Sequence, residues 1–104
     1  MNPFALCLAT ALMAVASLPA VANKALAGNS GCLGCHAAAV KLVGPAYQDV
    51  AARYAGQPGA VEALAASIRA GGAGKWGDMA MPAPAKLSEA DAKKLAAWIL
   101  GGAN

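Results

Sequence analysis

The chain has 104 residues, which leaves room for one small domain. Hydrophobic residues make up 59% of it but aromatics only 5%, and alanine and glycine dominate. A core built from such small side chains is thin, so a buried cofactor would act as a staple. Eight Lys plus Arg against five Asp plus Glu give a formal charge of +3, and only Lys93 and Lys94 are adjacent basic residues. No basic block of the kind that binds nucleic acid is present.

The first charged residue is Lys24. Before it, Phe4 to Val21 form an apolar stretch that ends at Ala20-Val21-Ala22. Small residues at the first and third positions of that triplet match a signal-peptidase site, so residues 1–22 are expected to be a cleavable signal peptide. The n-region Met1-Asn2-Pro3 lacks the usual Lys or Arg, and Cys7 precedes the apolar core, where no lipoprotein cysteine would sit. The mature protein is then Asn23 to Asn104, with two cysteines and no membrane span.

Four helical pieces follow. Asn23 to Gly31 is short and alanine-rich. Pro45 to Gly56 has a proline suited to a first helical position and a glycine suited to a C-terminal cap. Pro58 to Arg69 repeats Val61, Leu64, Ala65 and Ile68 at helical spacing and stops at Gly71-Gly72. The last helix opens with Ser88-Glu89-Ala90-Asp91 in the manner of a capping box. It presents Ala92, Leu95, Trp98 and Ile99 on one face and closes at Gly101-Gly102. No stretch alternates with period two, so the expected fold class is all-α. Ala73 to Lys86 carries too much glycine and proline for a regular element, and a loop that long in so small a domain points to function.

Cys32-Leu33-Gly34-Cys35-His36 is the C-x-x-C-H pattern of covalent haem attachment. Thiols three residues apart at a helical start face one way and can bond both vinyl groups of one porphyrin, while the adjacent histidine reaches the iron. A thioredoxin-like pair would need a βαβ context, which this chain lacks. Zinc would need four ligands, and the mature chain offers Cys32, Cys35, His36 and carboxylates. A structural disulfide in an oxidising compartment is the remaining alternative. His36 is the only histidine, so two-histidine ligation within the chain is excluded. Met1 and Met13 leave with the signal segment, so the sixth ligand falls to Met79 or Met81. Met81 is preferred because Pro82 stiffens the loop just beyond it. Imidazole opposite a thioether leaves no open position for substrate and suits electron transfer.

Together these residues resemble the small bacterial class I cytochromes c of the c-551 type, also called cytochrome c8. The likeness rests on Gly31 to His36, on Leu42-Val43-Gly44-Pro45-Ala46-Tyr47 with Asp49-Val50-Ala51, on Trp76-Gly77 and Met81-Pro82, and on Leu95 to Leu100. It implies a cytochrome c fold of about four short helices wrapped around one covalently attached haem c. His36 and Met81 would be the axial iron ligands, and Cys32 and Cys35 the thioether positions. It further implies that the Pro45 carbonyl accepts a hydrogen bond from His36 and that Trp76 lies near a haem propionate. The implied function is that of a periplasmic, monomeric one-electron carrier, not an enzyme. Quinol-cytochrome c reductase would be the donor, and nitrite reductase, a terminal oxidase or a peroxidase the acceptor. Docking would use an apolar haem edge with some of Lys24, Lys41, Lys75 and Lys86. The alternatives are a haem subunit of a larger periplasmic oxidoreductase and a gas sensor. The chain departs from the family pattern twice. Met81-Pro82-Ala83-Pro84-Ala85 is one residue longer than usual and lacks the amide that approaches the sulfur in relatives. Ser67 stands where some relatives carry an arginine near a propionate, so that charge contact is expected to be missing.

Overall fold

The computed structural model describes residues 18–104, with side chains described from Asn23 onward. The expected signal segment therefore lies for the most part outside the described residues. Four α-helices and one 3-10 turn appear in chain order: α1 Leu18–Asn29, the 3-10 turn Cys32–Gly34, α2 Tyr47–Tyr54, α3 Ala60–Ala70 and α4 Glu89–Leu100. Among the described residues only two isolated β-bridges occur, His36 with Lys41 and Gly72 with Met81. The molecule is all-α, and none of the described helices is long and apolar enough to cross a membrane.

Three helix boundaries differ from the sequence expectation, each for a local reason. Helix α1 starts before Asn23 and stops at Asn29, because Gly31 turns into the left-handed region at φ 80° and releases the chain into the 3-10 turn. Helix α2 begins at Tyr47, two residues after Pro45. Ala46 is extended at ψ 143°, and the Tyr47 amide donates to the Ala37 carbonyl at 2.9 Å, so the segment before Tyr47 is tied to the cysteine loop. Helix α3 begins at Ala60, since Gly59 sits at φ 70° and cannot be part of a right-handed helix. The expected stops hold: Gly56 at φ 73° follows α2, and Gly71-Gly72 follow α3.

Helix α4 organises the core, packing against α3, α2 and α1. Its Ala92, Leu95, Ala96, Trp98 and Ile99 are buried, and they meet Leu64, Ala65 and Ile68 of α3 with Tyr47 and Val50 of α2. The alanines at 27, 65, 92 and 96 let the helix backbones approach closely, which is how a chain poor in large side chains still closes a core. No Asp, Glu, Lys, Arg or His side chain is buried among the described residues. The N-terminus of α4 is capped as the sequence requires, Ser88 Oγ accepting from the Asp91 amide at 3.1 Å. Ser88→Ala should lower holoprotein stability by about 1 kcal/mol. The measurement is a urea midpoint at unchanged slope, and an unchanged midpoint would mean that the cap contributes nothing here.

Candidate haem cleft

The cysteine motif begins at the left-handed Gly31 and folds as a 3-10 turn. The Cys35 amide donates to the Cys32 carbonyl at 3.2 Å, and the His36 amide reaches the same carbonyl at 3.0 Å. Side chains at i and i+3 eclipse in this geometry, so Cys32 and Cys35 project the same way. Both are half-buried and neither is in a disulfide. Burial pushes the Cys32 thiol above its ordinary pKa, and the neighbouring Tyr47 hydroxyl pulls it partly back. Tyr47 is itself raised well above the phenol range, first by burial and then by Cys32.

His36 is fixed from three sides. Its Nδ1 donates to the Pro45 carbonyl at 2.8 Å. A carbonyl can only accept, so Nδ1 donates here, and in the neutral ring that leaves the Nε2 lone pair for a metal. Tyr47 stacks on the imidazole with centroids 5.2 Å apart and planes at 17°, and Trp98 meets Tyr47 edge-on at 5.4 Å. The ring orientation is thus tied through two aromatics to helix α4. The third contact is Gly44, whose amide donates to the Cys35 carbonyl at 2.8 Å. A Cβ built on Gly44 would lie 2.8 Å from Nδ1 and 2.9 Å from Nε2 of His36. Only glycine fits there. Gly44 and Tyr47 have no role that periodicity or spacing can show, because both act through contacts that cross elements. The Gly44-Pro45 pair beside the motif was the one available signal.

The loop from Ala73 to Lys86 is anchored at Met81. The Gly72 amide donates to the Met81 carbonyl at 2.9 Å, and the Met81 amide returns the bond to Gly72 at 2.8 Å. Gly71, at φ 62°, lets these backbones meet, since a Cβ there would lie 2.5 Å from the Met81 carbonyl oxygen. The Met81 side chain packs against the core, whereas Met79 is 70% exposed. Trp76 is partly exposed, with the Arg53 guanidinium 4.2 Å from its ring centre.

Cys32, Cys35, His36, Pro45, Trp76 and Met81 all line one cleft. The empty space within it, open solvent included, is about 1190 Å3. Val50, Leu64, Ile68, Leu95 and Ile99 supply apolar walls. The residues fit a covalently held haem: two free thiols on one turn, an imidazole whose Nδ1 is already bonded, and apolar walls for a flat ring. Among the described residues, no group of three or more His, Cys, Asp and Glu could hold a metal ion without such a ring.

Comparison with known proteins points the same way. The cytochrome c family model matches residues 20–103. Cytochrome c-552 of Hydrogenobacter thermophilus is 50% identical over 91 residues, covering 86% of this chain and 92% of that protein. Cytochrome c-551 of Pseudomonas aeruginosa is 45% identical over 102 residues, covering 96% and 97%. The crystal structure of Nitrosomonas europaea cytochrome c552 superposes with a TM-score of 0.73 at 44% identity, covering 76% of this chain and 98% of the other. With the attachment motif, the cleft and these relatives in agreement, the chain belongs to the cytochrome c family, as a small class I electron carrier of the c-551 type with one covalently attached haem c.

Proposed function

We propose that the protein is a soluble periplasmic monomer that carries single electrons between larger respiratory proteins, with His36 and Met81 as the axial ligands of its haem iron. One observation carries this reading: Met81 lines the same cleft as Cys32, Cys35 and His36, held against the core by paired backbone bonds to Gly72. Haem held here would supply a one-electron iron couple, and a thioether ligand beside the imidazole of His36 would raise its potential. The chain's own part is to orient His36 through Pro45 and Tyr47, to hold Met81 on a tied loop and to keep water from the apolar wall.

Residues 1–22 are read as a signal peptide removed on export, leaving residues 23–104 as the mature domain. Val43 and Met79 border the cleft, and with Val40 and Leu42 they are large apolar side chains about half exposed or more. These exposed apolar side chains suit the small, short-lived interfaces of redox encounters. By family resemblance the donor is quinol-cytochrome c reductase, and the acceptor is nitrite reductase, a terminal oxidase or a peroxidase.

The test is a pair of oxidised and reduced absorption spectra of the chain, matured with c-type assembly machinery and then extracted with acid-acetone. Haem retained by the protein, with a weak far-red sulfur-to-iron band in the oxidised form, is the expected result. A spectrum that lacks the far-red band would remove Met81 from the ligand set.

A further inference from the structure

Among the described residues, Lys75 is the one Lys, Arg, Asp or Glu that lines the haem cleft. It does not extend freely into solvent: its Nζ donates to Ser67 Oγ at 2.9 Å, and Ser67 lines the same cleft from α3. The Lys75 carbonyl in turn accepts from Arg53 Nη1, and the Arg53 guanidinium stacks on Trp76. The lysine is thus tethered at its backbone by α2 and at its tip by α3. An ammonium has three donors and Ser67 takes one. Because Ser67 Oγ accepts from Lys75, its own proton is free to be donated. This corner of the cleft therefore offers a positive charge and a hydroxyl donor, and among the described residues no acidic residue lines the cleft to neutralise them.

A carboxylate answers that chemistry, because charge-assisted bonds from an ammonium and a hydroxyl are the strong ones for an anion. The haem carries two carboxylates, its propionates, on the edge away from the vinyl groups that bond the cysteines. We propose that Lys75, steadied by Ser67, is a positioning residue that pairs with a haem propionate. The inference rests on haem seated in this cleft by Cys32 and Cys35.

The other groups around the corner are accounted for. Helix α2 brings Arg53, a second positive charge just outside the cleft, and Tyr54. Helix α3 brings Ser67, and α4 contributes Leu95 and Ile99 but no charge. Asp78, on the same loop as Lys75, is exposed and does not line the cleft. A cation beside the propionate favours its ionised form and also favours the reduced, less positive iron. Removing the cation should therefore raise the pH at which the propionate takes up a proton and lower the reduction potential at neutral pH.

The experiment measures the potential of the holoprotein from pH 4 to 9 in wild type, Lys75→Met, Lys75→Arg, Ser67→Ala and, as an exposed control, Lys93→Met. Lys75→Met should move the inflection upward by about one pH unit, a tenfold change in proton affinity. Ser67→Ala should give a smaller shift in the same direction, Lys75→Arg should restore the wild-type curve, and Lys93→Met should leave it in place. An unmoved inflection in Lys75→Met and Ser67→Ala overturns the proposal. So does a change confined to partner electron-transfer rates, which would make Lys75 a docking residue. An inflection that follows acetate or phosphate concentration would assign the site to a free anion and overturn it as well. Haem retention is read separately from the absorption spectrum. If Lys75→Met alone fails to retain haem, the Ser67→Ala curve decides; a wild type without haem would instead refute the seating on which the proposal rests.

Discussion

Met81→Ala is expected to abolish the far-red sulfur-to-iron band and lower the reduction potential by ~0.1–0.3 V, a fraction of the ~0.8 V over which axial ligands tune haem iron. The proposed ligand sits on a segment whose backbone is fixed by two hydrogen bonds to Gly72 and whose side chain packs on the core. The alanine variant should therefore keep its fold and lose only the thioether, opening the sixth position to water or added ligands. Met79→Ala is the matched comparison. Met79 is 70% exposed, so its loss should leave the spectrum and potential nearly unchanged. If the Met79 change removes the band and the Met81 change does not, the ligand assignment is reversed.

Gly44→Ala is expected to destabilise the holoprotein by about 2–4 kcal/mol, combining overpacking with loss of the His36–Pro45 hydrogen bond. The added Cβ would lie 2.8 Å from His36 Nδ1, and the ring has little room to yield. Tyr47 stacks on it, and its Nδ1 is bonded to the Pro45 carbonyl at 2.8 Å. The ring must turn, so the denaturant midpoint should fall and the potential should change with the imidazole's orientation. Gly34→Ala lies within the same motif, meets nothing within 4 Å and needs no positive φ, so it should cost little. A Gly44→Ala protein with the wild-type midpoint and potential would show that the close approach is not a constraint.

Covalent chemistry and helix periodicity could both be read along the chain. Cys32, Cys35 and His36 are consecutive enough for one turn to bring them together, so their grouping needs no tertiary information. The buried face of α4 was legible for the same reason: Ala92, Leu95, Trp98 and Ile99 follow the helical period, and all four are buried. The Ser88 cap is likewise a contact across three residues. Helix starts near prolines were less legible. Pro45 and Pro58 suit a first helical position by their own φ, but Ala46 is drawn into an extended conformation by bonds to the cysteine loop, and Gly59 adopts a left-handed one. Such competition is invisible in local propensity.

The haem-attachment triad, the all-α class and the amphipathic face of α4 are properties of residues within a turn or two of each other, and local geometry fixed them before any folding. Tertiary structure alone gave Gly44 its role against His36, set Met81 against the core while leaving Met79 exposed at the cleft edge, and brought Lys75 to Ser67. Each of these joins segments separated by a turn or a loop, and neither composition nor periodicity encodes how close two such segments come. Close packing does, because a single methyl group at Gly44 or Gly71 would have to occupy space already filled by an imidazole or a carbonyl.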